Sequence, residues 1–331
     1  MKKKTKKIIT AFIAALIILV ILFFLSIKTG SIDISYREII EGLFFKYNEK
    51  LNIIYDLRFP RIFIAIIAGA AIGISGVLLQ SVMKNPLTDP GIIGISSSSA
   101  FLTMLVAFIF PNMYMFMPII SVIGGIIAYL LIYSLAWDDG AEPTRLILTG
   151  VALNMTFIGL KEGLMTMAGG SMTNVQSIIK GNIAQKSWQD LRILIVYTFI
   201  FFILAFVFYR KCNLLLLDEK TIRSLGVNVD RDRMIISLIA IVLVSVSTSV
   251  VGIISFLGLC VPHIARIVVG NNHKYLIPFS AITGSIMLLF SDTAGRIIAA
   301  PYEIQASVIM SIIGGPFFIF LLKKGGKEYG N

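Results

Sequence analysis

The chain has 331 residues, of which 57% are hydrophobic and 14% are charged, and its mean hydropathy is +0.89. Soluble domains carry about 25% charged residues, so this composition excludes a soluble protein and predicts a polytopic membrane protein. The net charge of +11 does not indicate a nucleic-acid partner, because the basic residues cluster beside hydrophobic runs, as in the loops of membrane proteins.

Hydrophobic runs recur along the whole chain, and about 20 apolar residues suffice to cross a bilayer. The first run follows the basic sequence MKKKTKK without a cleavage pattern after it, so we interpret it as a transmembrane helix and not as a signal peptide. We predict an all-α membrane protein with about ten transmembrane helices, at 8–27, 60–82, 91–110, 114–136, 145–168, 191–209, 234–256, 261–270, 275–298 and 304–322. The eighth is short, and we expect Pro262 to break its helix and protein to surround it.

The charge distribution predicts the orientation. With the N-terminus in the cytoplasm, the inner segments carry 18 Lys and Arg residues and the outer segments carry 10. The positive-inside rule therefore predicts a multi-pass protein of the cell membrane with both termini in the cytoplasm. Residues 210–233, the charged segment, hold six Lys or Arg and four Asp or Glu between two uncharged runs, and this orientation places them in the cytoplasm.

Glycines occur at the spacing that lets helices approach closely in a bilayer. Gly69, Gly73 and Gly76 lie in the predicted second helix, and Gly159 and Gly163 lie in the fifth. We expect both sets to pack against neighbouring helices in a compact bundle.

Four ionisable residues fall deep within predicted spans. Asp292 precedes Arg296 by four residues, the favourable order for an ion pair on one helix. Lys161 and Glu162 are adjacent and do not face each other. Because charges within the membrane are costly, these two either line a substrate pathway or have a structural role.

The sequence gives no sign of catalytic or metal chemistry. It has no Walker A motif, no pairing of a nucleophile with a base, and no metal-ligand spacing among Cys212, Cys260, His263 and His273. We therefore expect neither an enzyme nor a bound cofactor or metal, and we interpret these four residues as structural.

Within the charged segment, LDEKTIRSLG has the pattern of a short helix. Asp218 can accept a backbone N–H as the N-cap, and Glu219 lies where the positive end of the helix dipole favours an acid. Gly226 can adopt the left-handed conformation that ends the helix. Asp230 is then expected to cap the start of the next helix.

The faces of this predicted helix differ in character. Ile222 and Leu225 are three residues apart and share one face, whereas Lys220 and Arg223 share another. An exposed apolar pair on a capped helix is typical of a docking surface. An ordinary polar loop is the alternative interpretation.

Five segments resemble the FecCD family, the membrane permeases of ABC importers for iron–siderophores, haem and vitamin B12. They are LRFPRIFIAIIAGAAIGISGVLLQSVMKNPLTDPGIIGISS, ILTGVALN, DEKTIRSLGVNVDR, ISFLGLCVPHIARIVVGNNHKYLIPFSAITGSIMLLFSDTAGRI and EIQASVIMSIIGGPFFIFLLKK. They follow the family order from about residue 35 to 322. The resemblance implies the type II ABC importer permease fold, a second permease subunit of the same or a sister chain, two cytoplasmic ATP-binding subunits and an extracellular substrate-binding lipoprotein.

The resemblance also implies roles for particular residues. It assigns ATPase coupling to the helix that includes Asp218, Glu219, Ile222, Arg223, Leu225 and Gly226. It assigns docking of the binding protein to Arg58, Arg61 and Arg296, for which snorkelling at the membrane interface is the alternative. Lys161 and Glu162 stay candidates for the pathway.

These observations predict a single transmembrane permease domain over residues 1–331, with 210–233 as its cytoplasmic coupling segment. The expected function is ATP-driven import of an iron–siderophore complex, with haem or cobalamin as alternative cargo. A secondary transporter is a further alternative, although paired intramembrane carboxylates and inverted repeats are not evident.

Overall fold

A computed structural model describes residues 2–30, 55–136, 143–167 and 183–325. These residues form helices and their connections, without a β-strand. Residues 1, 31–54, 137–142, 168–182 and 326–331 lie outside the described residues, and with them the last residue of the span predicted at 145–168 and both ends of the chain. The helices are α1 (Lys2–Lys28), α2 (Phe59–Val82), α3 (Ile95–Ile109), a 3₁₀ helix (Pro111–Phe116), α4 (Met117–Ala136), α5 (Pro143–Met167), α6 (Trp188–Val207), α7 (Tyr209–Leu215), α8 (Glu219–Ser224), α9 (Val229–Val251), α10 (Leu257–Val269), α11 (His273–Ile298) and α12 (Ala306–Gly325).

Each of the ten predicted spans coincides with one of these helices. Within the described residues, six helices are long and apolar enough to cross a membrane, and α3, α10 and α12 contain shorter apolar helices. The boundaries shift where local interactions intervene. For example, α3 begins at Ile95 and not at residue 91, because Gly94 has a positive φ of 89° that a helix does not accommodate.

Pro262 lies inside α10, so the expected helix break is wrong. Proline lacks an N–H, which leaves the carbonyl of Gly258, four residues earlier, without its helical donor. Gln80 of α2 supplies a substitute, since its Nε2 donates to the Gly258 carbonyl at 3.4 Å. The expected interior position of this short helix is confirmed, because most residues of its first half are buried.

Helix α2 is buried along most of its length and packs against α9, α10 and α11. A Cβ atom on Gly69 would collide with the backbone carbonyl of Gly284 in α11, and one on Gly76 would collide with that of Gly258 in α10. The predicted packing role of the α2 glycines is thereby confirmed. Within the described chain nothing lies within 4 Å of a Cβ built on Gly159 or Gly163, so the expected packing role of the α5 glycines is not met there.

The bundle has two ends that matter for function. At the arginine end, α1 and α11 terminate beside the start of α2, which carries Arg58 and Arg61. At the charged-segment end, α7 and α8 lie beside the starts of α9 and α11 and the connection from α2 to α3. Helix α2 begins at the arginine end and ends at the charged-segment end, so α2 connects the two ends directly.

Candidate functional site

The charged segment is folded as two short helices joined by a turn. Gly226 has a φ of 73°, so the predicted left-handed residue after α8 is confirmed. Its N–H donates to the carbonyl of Arg223 at 3.0 Å, which closes the last turn of α8. The segment is therefore an ordered part of this end of the bundle and not an irregular loop.

The caps of these helices differ from the sequence prediction. Asp218 occupies the N-cap of α8, but its side chain makes no capping hydrogen bond. Asn228, and not Asp230, caps α9, because its Oδ1 accepts from the N–H of Arg231 at 3.0 Å. Asp230 lies in the first turn of α9 and instead pairs with Arg223 at 3.3 Å.

The predicted exposed pair of Ile222 and Leu225 does not form. Ile222 is 0% exposed and belongs to the core of the bundle, whereas Leu225 is 60% exposed. The spacing was misleading because Leu225 is the C-cap of α8, where the backbone has left the helix. The exposed apolar side chains of the segment are Leu216, Leu217 and Leu225.

Ion pairs form within α8 and between α8 and α9. Arg223 Nη2 lies 2.8 Å from Glu219 Oε1, and Arg233 Nη2 lies 3.3 Å from Glu219 Oε2. The hydrogen bond from Arg223, followed by the charge of Arg233, lowers the pKa of Glu219. Because these groups are partly exposed, the pairs contribute little stability, and their effect is to orient α8.

Arg61 is the centre of the arginine end. Its Nη2 lies 2.8 Å from Asp292 Oδ1 in α11, and its Nη1 lies 2.9 Å from Glu303 Oε2 in the connection to α12. Bidentate pairs of this kind fix geometry as well as charge. The sequence predicted Asp292 as a partner of Arg296 alone, and a pair across 231 residues leaves no periodic signal in the sequence.

Arg296 and Arg58 anchor the end of α1. The predicted Asp292–Arg296 pair is confirmed at 3.4 Å, and Arg296 Nη1 also donates to the carbonyls of Ser26 and Thr29 at 3.1 and 2.8 Å. Arg58 Nη1 donates to the carbonyl of Ile27 at 2.6 Å. All three arginines, Arg58, Arg61 and Arg296, are only 6–8% exposed, so each has bonds within the chain.

Lys161 and Glu162 lie in the second half of α5, away from both of these sites. Glu162 is exposed and Lys161 is partly buried. Exposed side chains at this end of α5 include Met155 and Leu160. Glu162 thus shares the open region of α5 with Gly159 and Gly163, where the described chain supplies no packing partner.

The described residues contain no group of three or more His, Cys, Asp or Glu side chains that could hold a metal ion. Cys212 and Cys260 are both free and buried. His273 is buried between Ser81 Oγ and Asn213 Oδ1, at 2.6 and 2.8 Å. These contacts join α2, α7 and α11 at the charged-segment end.

The sequence profile of the FecCD transport family matches residues 18–324. The chain belongs to the FecCD transport family. It is 38% identical over 322 residues to the protein designated haem-iron transport system permease IsdF of Staphylococcus aureus strain MSSA476, a match covering 97% of each chain. The protein of the same designation from strain Newman matches equally, at 38% over 97% of each chain.

Solved structures agree with this assignment. This FecCD chain superposes on a transporter assigned to the metal-chelate type of ABC transporters, in an inward-facing conformation. The TM-score is 0.80 at 27% identity, over 96% of this chain and 99% of that one. PsaBC from Streptococcus pneumoniae, in complex with a Fab, shares the fold with a TM-score of 0.59 at 19% identity, over 86% and 95% of the two chains.

Family membership and fold establish the general role. The chain is a multi-pass permease of the cell membrane with the ABC importer fold, and it is a transport subunit and not a catalyst. A separate ATPase hydrolyses ATP, and the family works with a partner permease and a substrate-binding protein. The ATP-driven mechanism is thereby favoured over the secondary transporter considered from sequence.

Proposed function

We propose that this permease forms half of the membrane channel of an importer for haem iron. The observation that carries the proposal is the 38% identity, over 97% of both chains, to a protein designated a haem-iron permease. The relatives named above favour haem over the iron–siderophore complex, which the sequence resemblance suggested as the commonest cargo. Cobalamin has no support from these relatives.

Reconstitution tests the cargo. The permease, its ATPase and its binding protein are assembled in vesicles, and the binding protein is loaded with haem, a ferric siderophore or cobalamin. We expect ATP-dependent accumulation of haem, and none with an ATPase variant that cannot hydrolyse ATP. Uptake of a ferric siderophore without haem would contradict the cargo alone, whereas uptake without ATP would contradict the importer.

The open face of α5 supports a second permease subunit beside this one. A carboxylate such as Glu162 is costly against lipid and tends to face protein or a water-filled cavity. A Cβ built on Gly159 or Gly163 meets nothing within 4 Å in the described part of the chain, and such glycines let a second backbone approach closely. In this proposal Lys161 and Glu162 line the path between two permeases, which are identical copies or sister chains.

The charged segment is proposed to bind the ATPase in the cytoplasm, with both chain termini on the same side. Leu225 and the charged side chains around it form the contact surface. Ile222 anchors α8 in the bundle, so movement of the ATPase displaces the bundle as well. Asp218 and Gly226 set the start and the end of this coupling helix.

The arginine end is proposed to receive acidic side chains of the binding protein on the outer surface. Arg58, Arg61 and Arg296 are mostly buried and already bonded, so docking there involves an exchange of partners. Glu303 is the accessible member of this cluster, with 43% of its side chain exposed. Its carboxylate is therefore the partner that a carboxylate of the binding protein displaces most readily from Arg61.

A further inference from the structure

Lys84, the second residue after α2, combines an unusual backbone conformation with a long-range hydrogen bond. Its φ is 47°, in the left-handed region that residues other than glycine seldom occupy. Its Nζ donates to the backbone carbonyl of Leu217 at 2.6 Å. Leu217 lies between α7 and α8, so this bond joins the end of α2 to the charged segment across 133 residues of sequence.

The side-chain ion pairs of α8 lead to a different helix. Glu219 pairs with Arg233, and Arg223 pairs with Asp230, and both partners belong to α9. These contacts hold the charged segment to the helix that follows it in the chain. Lys84 connects the segment instead to α2, which is remote in sequence and central in the bundle.

The connection from α2 to α3, which contains Lys84, is held to the bundle by hydrogen bonds. Gln80 Nε2 donates to the Thr88 carbonyl at 3.2 Å, and Gln80 Oε1 accepts from Arg266 of α10. Asp89 is buried, and its Oδ1 accepts from the N–H of Gly91 at 2.8 Å. A displacement of Lys84 therefore carries this connection and α2 together.

The other end of α2 holds Arg61 and its partners Asp292 and Glu303. The helix has 24 residues, which corresponds to a length of about 36 Å. Its interior contains no proline, since the one at Pro60 lies in the first turn. An unbroken helix thus connects the bond at Lys84 to the arginine end.

A cavity of about 100 Å³ lies beside the Lys84 bond. Lys84, Tyr129, Tyr133, Glu219 and Arg233 are among its lining residues. Well-packed interiors transmit displacement through direct contact, but this cavity interrupts such contact between α8 and the ends of α2 and α4. The hydrogen bond of Lys84 therefore links the start of α8 directly to the end of α2. It adds to the contact of α7 with α2 and to the bonds of His273 with Asn213 and Ser81.

We propose that Lys84 is a positioning residue for transport, which transmits displacement of the charged segment to α2 through its bond to the Leu217 carbonyl. This inference rests on the proposed contact of the charged segment with the ATPase. It identifies α2 as the element through which nucleotide state at one end reaches the arginine cluster at the other. Rigid elements that shift between two arrangements carry coupling of this kind.

The complete importer in vesicles tests the inference, with haem as the transported probe. Lys84→Met removes the donor and keeps an unbranched side chain, whereas Lys84→Arg keeps a donor. Lys274→Met is the matched control, because Lys274 is an exposed lysine near the same end of the bundle, in α11. We expect Lys84→Met to consume about tenfold more ATP per haem imported, and the other two variants to stay near the wild type. An unchanged ratio in Lys84→Met overturns the proposal.

A distance measurement gives a second readout that needs no cargo. Spin labels on cysteines introduced at Lys220 and Leu87 report the separation of α8 from the α2–α3 connection, in nucleotide-free and vanadate-trapped complexes. We expect one narrow distribution in both states for the wild-type background and for Lys84→Arg, and a broadened distribution for Lys84→Met. A distribution for Lys84→Met as narrow as that of the wild-type background overturns the proposal, whereas a failure of all variants to import haem counts against the proposed cargo alone.

Discussion

Arg61 in α2 and Asp292 in α11 are 231 residues apart in sequence, and Arg61 Nη2 lies 2.8 Å from Asp292 Oδ1. Arg61 Nε also donates to both oxygens of Asp292, at 3.0 and 3.1 Å. Exposed fractions of the two side chains are 9% and 2%. The pair therefore fixes the two central helices at the end opposite to the charged segment.

Replacement of Asp292 by Ala is expected to reduce the free energy of unfolding by about 3–5 kcal/mol, because it leaves buried Arg296 without its carboxylate and Arg61 with only the half-exposed Glu303. Glu303→Ala, which removes the half-exposed partner of Arg61, is expected to cost no more than about 1 kcal/mol. Denaturant unfolding in detergent micelles measures both. Equal losses for the two variants would show that burial of the pair is not the deciding factor.

Gly69→Val is expected to destabilise the bundle by about 3 kcal/mol, because the added side chain overpacks the contact between α2 and α11. Its Cβ would collide with the carbonyl of Gly284, and neither backbone can retreat without breaking other contacts. Gly315→Ala in α12 is the control, since a Cβ there meets nothing within 4 Å, and it is expected to gain up to about 1 kcal/mol of helix stability. Thermal unfolding of the purified permease measures both, and a tolerated Gly69→Val would contradict the close approach.

Asp89 is expected to make stability depend on pH. Burial raises the pKa of its carboxyl to about 6 from an ordinary value of 3.8, although backbone N–H groups of Gly91 and Ile92 oppose this rise. Between these values the folded state binds more protons than the unfolded state, so the free energy of unfolding falls as pH rises. The decrease attributable to Asp89 is on the order of 3 kcal/mol and is complete above about pH 6.

Asp89→Asn removes this titration and serves as the comparison. Other carboxylates affect both proteins alike, so the measured quantity is the difference between their unfolding free energies from pH 4 to 7. That difference is expected to change between pH 4 and 6 and to be flat above. A constant offset over the whole range would mean that the Asp89 carboxyl keeps its ordinary pKa.

Ile222 and Leu225 are expected to behave differently when each is replaced by Ala. Ile222→Ala creates a cavity in the core and is expected to cost about 2–5 kcal/mol of stability. Leu225→Ala changes an exposed side chain, so stability is kept while affinity for the ATPase falls. Unfolding in micelles and titration with the purified ATPase separate the two effects. Full affinity in Leu225→Ala would remove Leu225 from the contact surface.

The two native cysteines are expected to be inert towards maleimide in the folded permease. Burial raises the pKa of the Cys212 thiol to about 12, and Cys260 is 1% exposed. Cysteines introduced at Lys220 and Tyr302 can therefore be labelled selectively, and Tyr302 is 81% exposed. We expect an impermeant maleimide to label residue 302 in intact cells and residue 220 only after lysis. The reverse pattern would contradict cytoplasmic termini.

The sequence predicted the helices well because crossing a bilayer requires long apolar runs, which are local features of the chain. It also predicted the Asp292–Arg296 pair and the left-handed Gly226, since both depend on neighbours within one turn. It failed at Pro262 because the side chain that replaces the missing hydrogen bond, Gln80, belongs to another helix. It failed at Ile222 because burial depends on which helices surround a residue.

By itself, the sequence determined the membrane class, the order of the apolar helices, and the segments that carry the FecCD resemblance. All of these follow from composition and from spacing within a short stretch of chain. Only the tertiary structure placed Arg61 beside Asp292, Gly69 against Gly284, and the Lys84 amine on the Leu217 carbonyl. Such contacts join residues far apart in the chain, and their energies depend on distance and burial, which are fixed only when the helices pack.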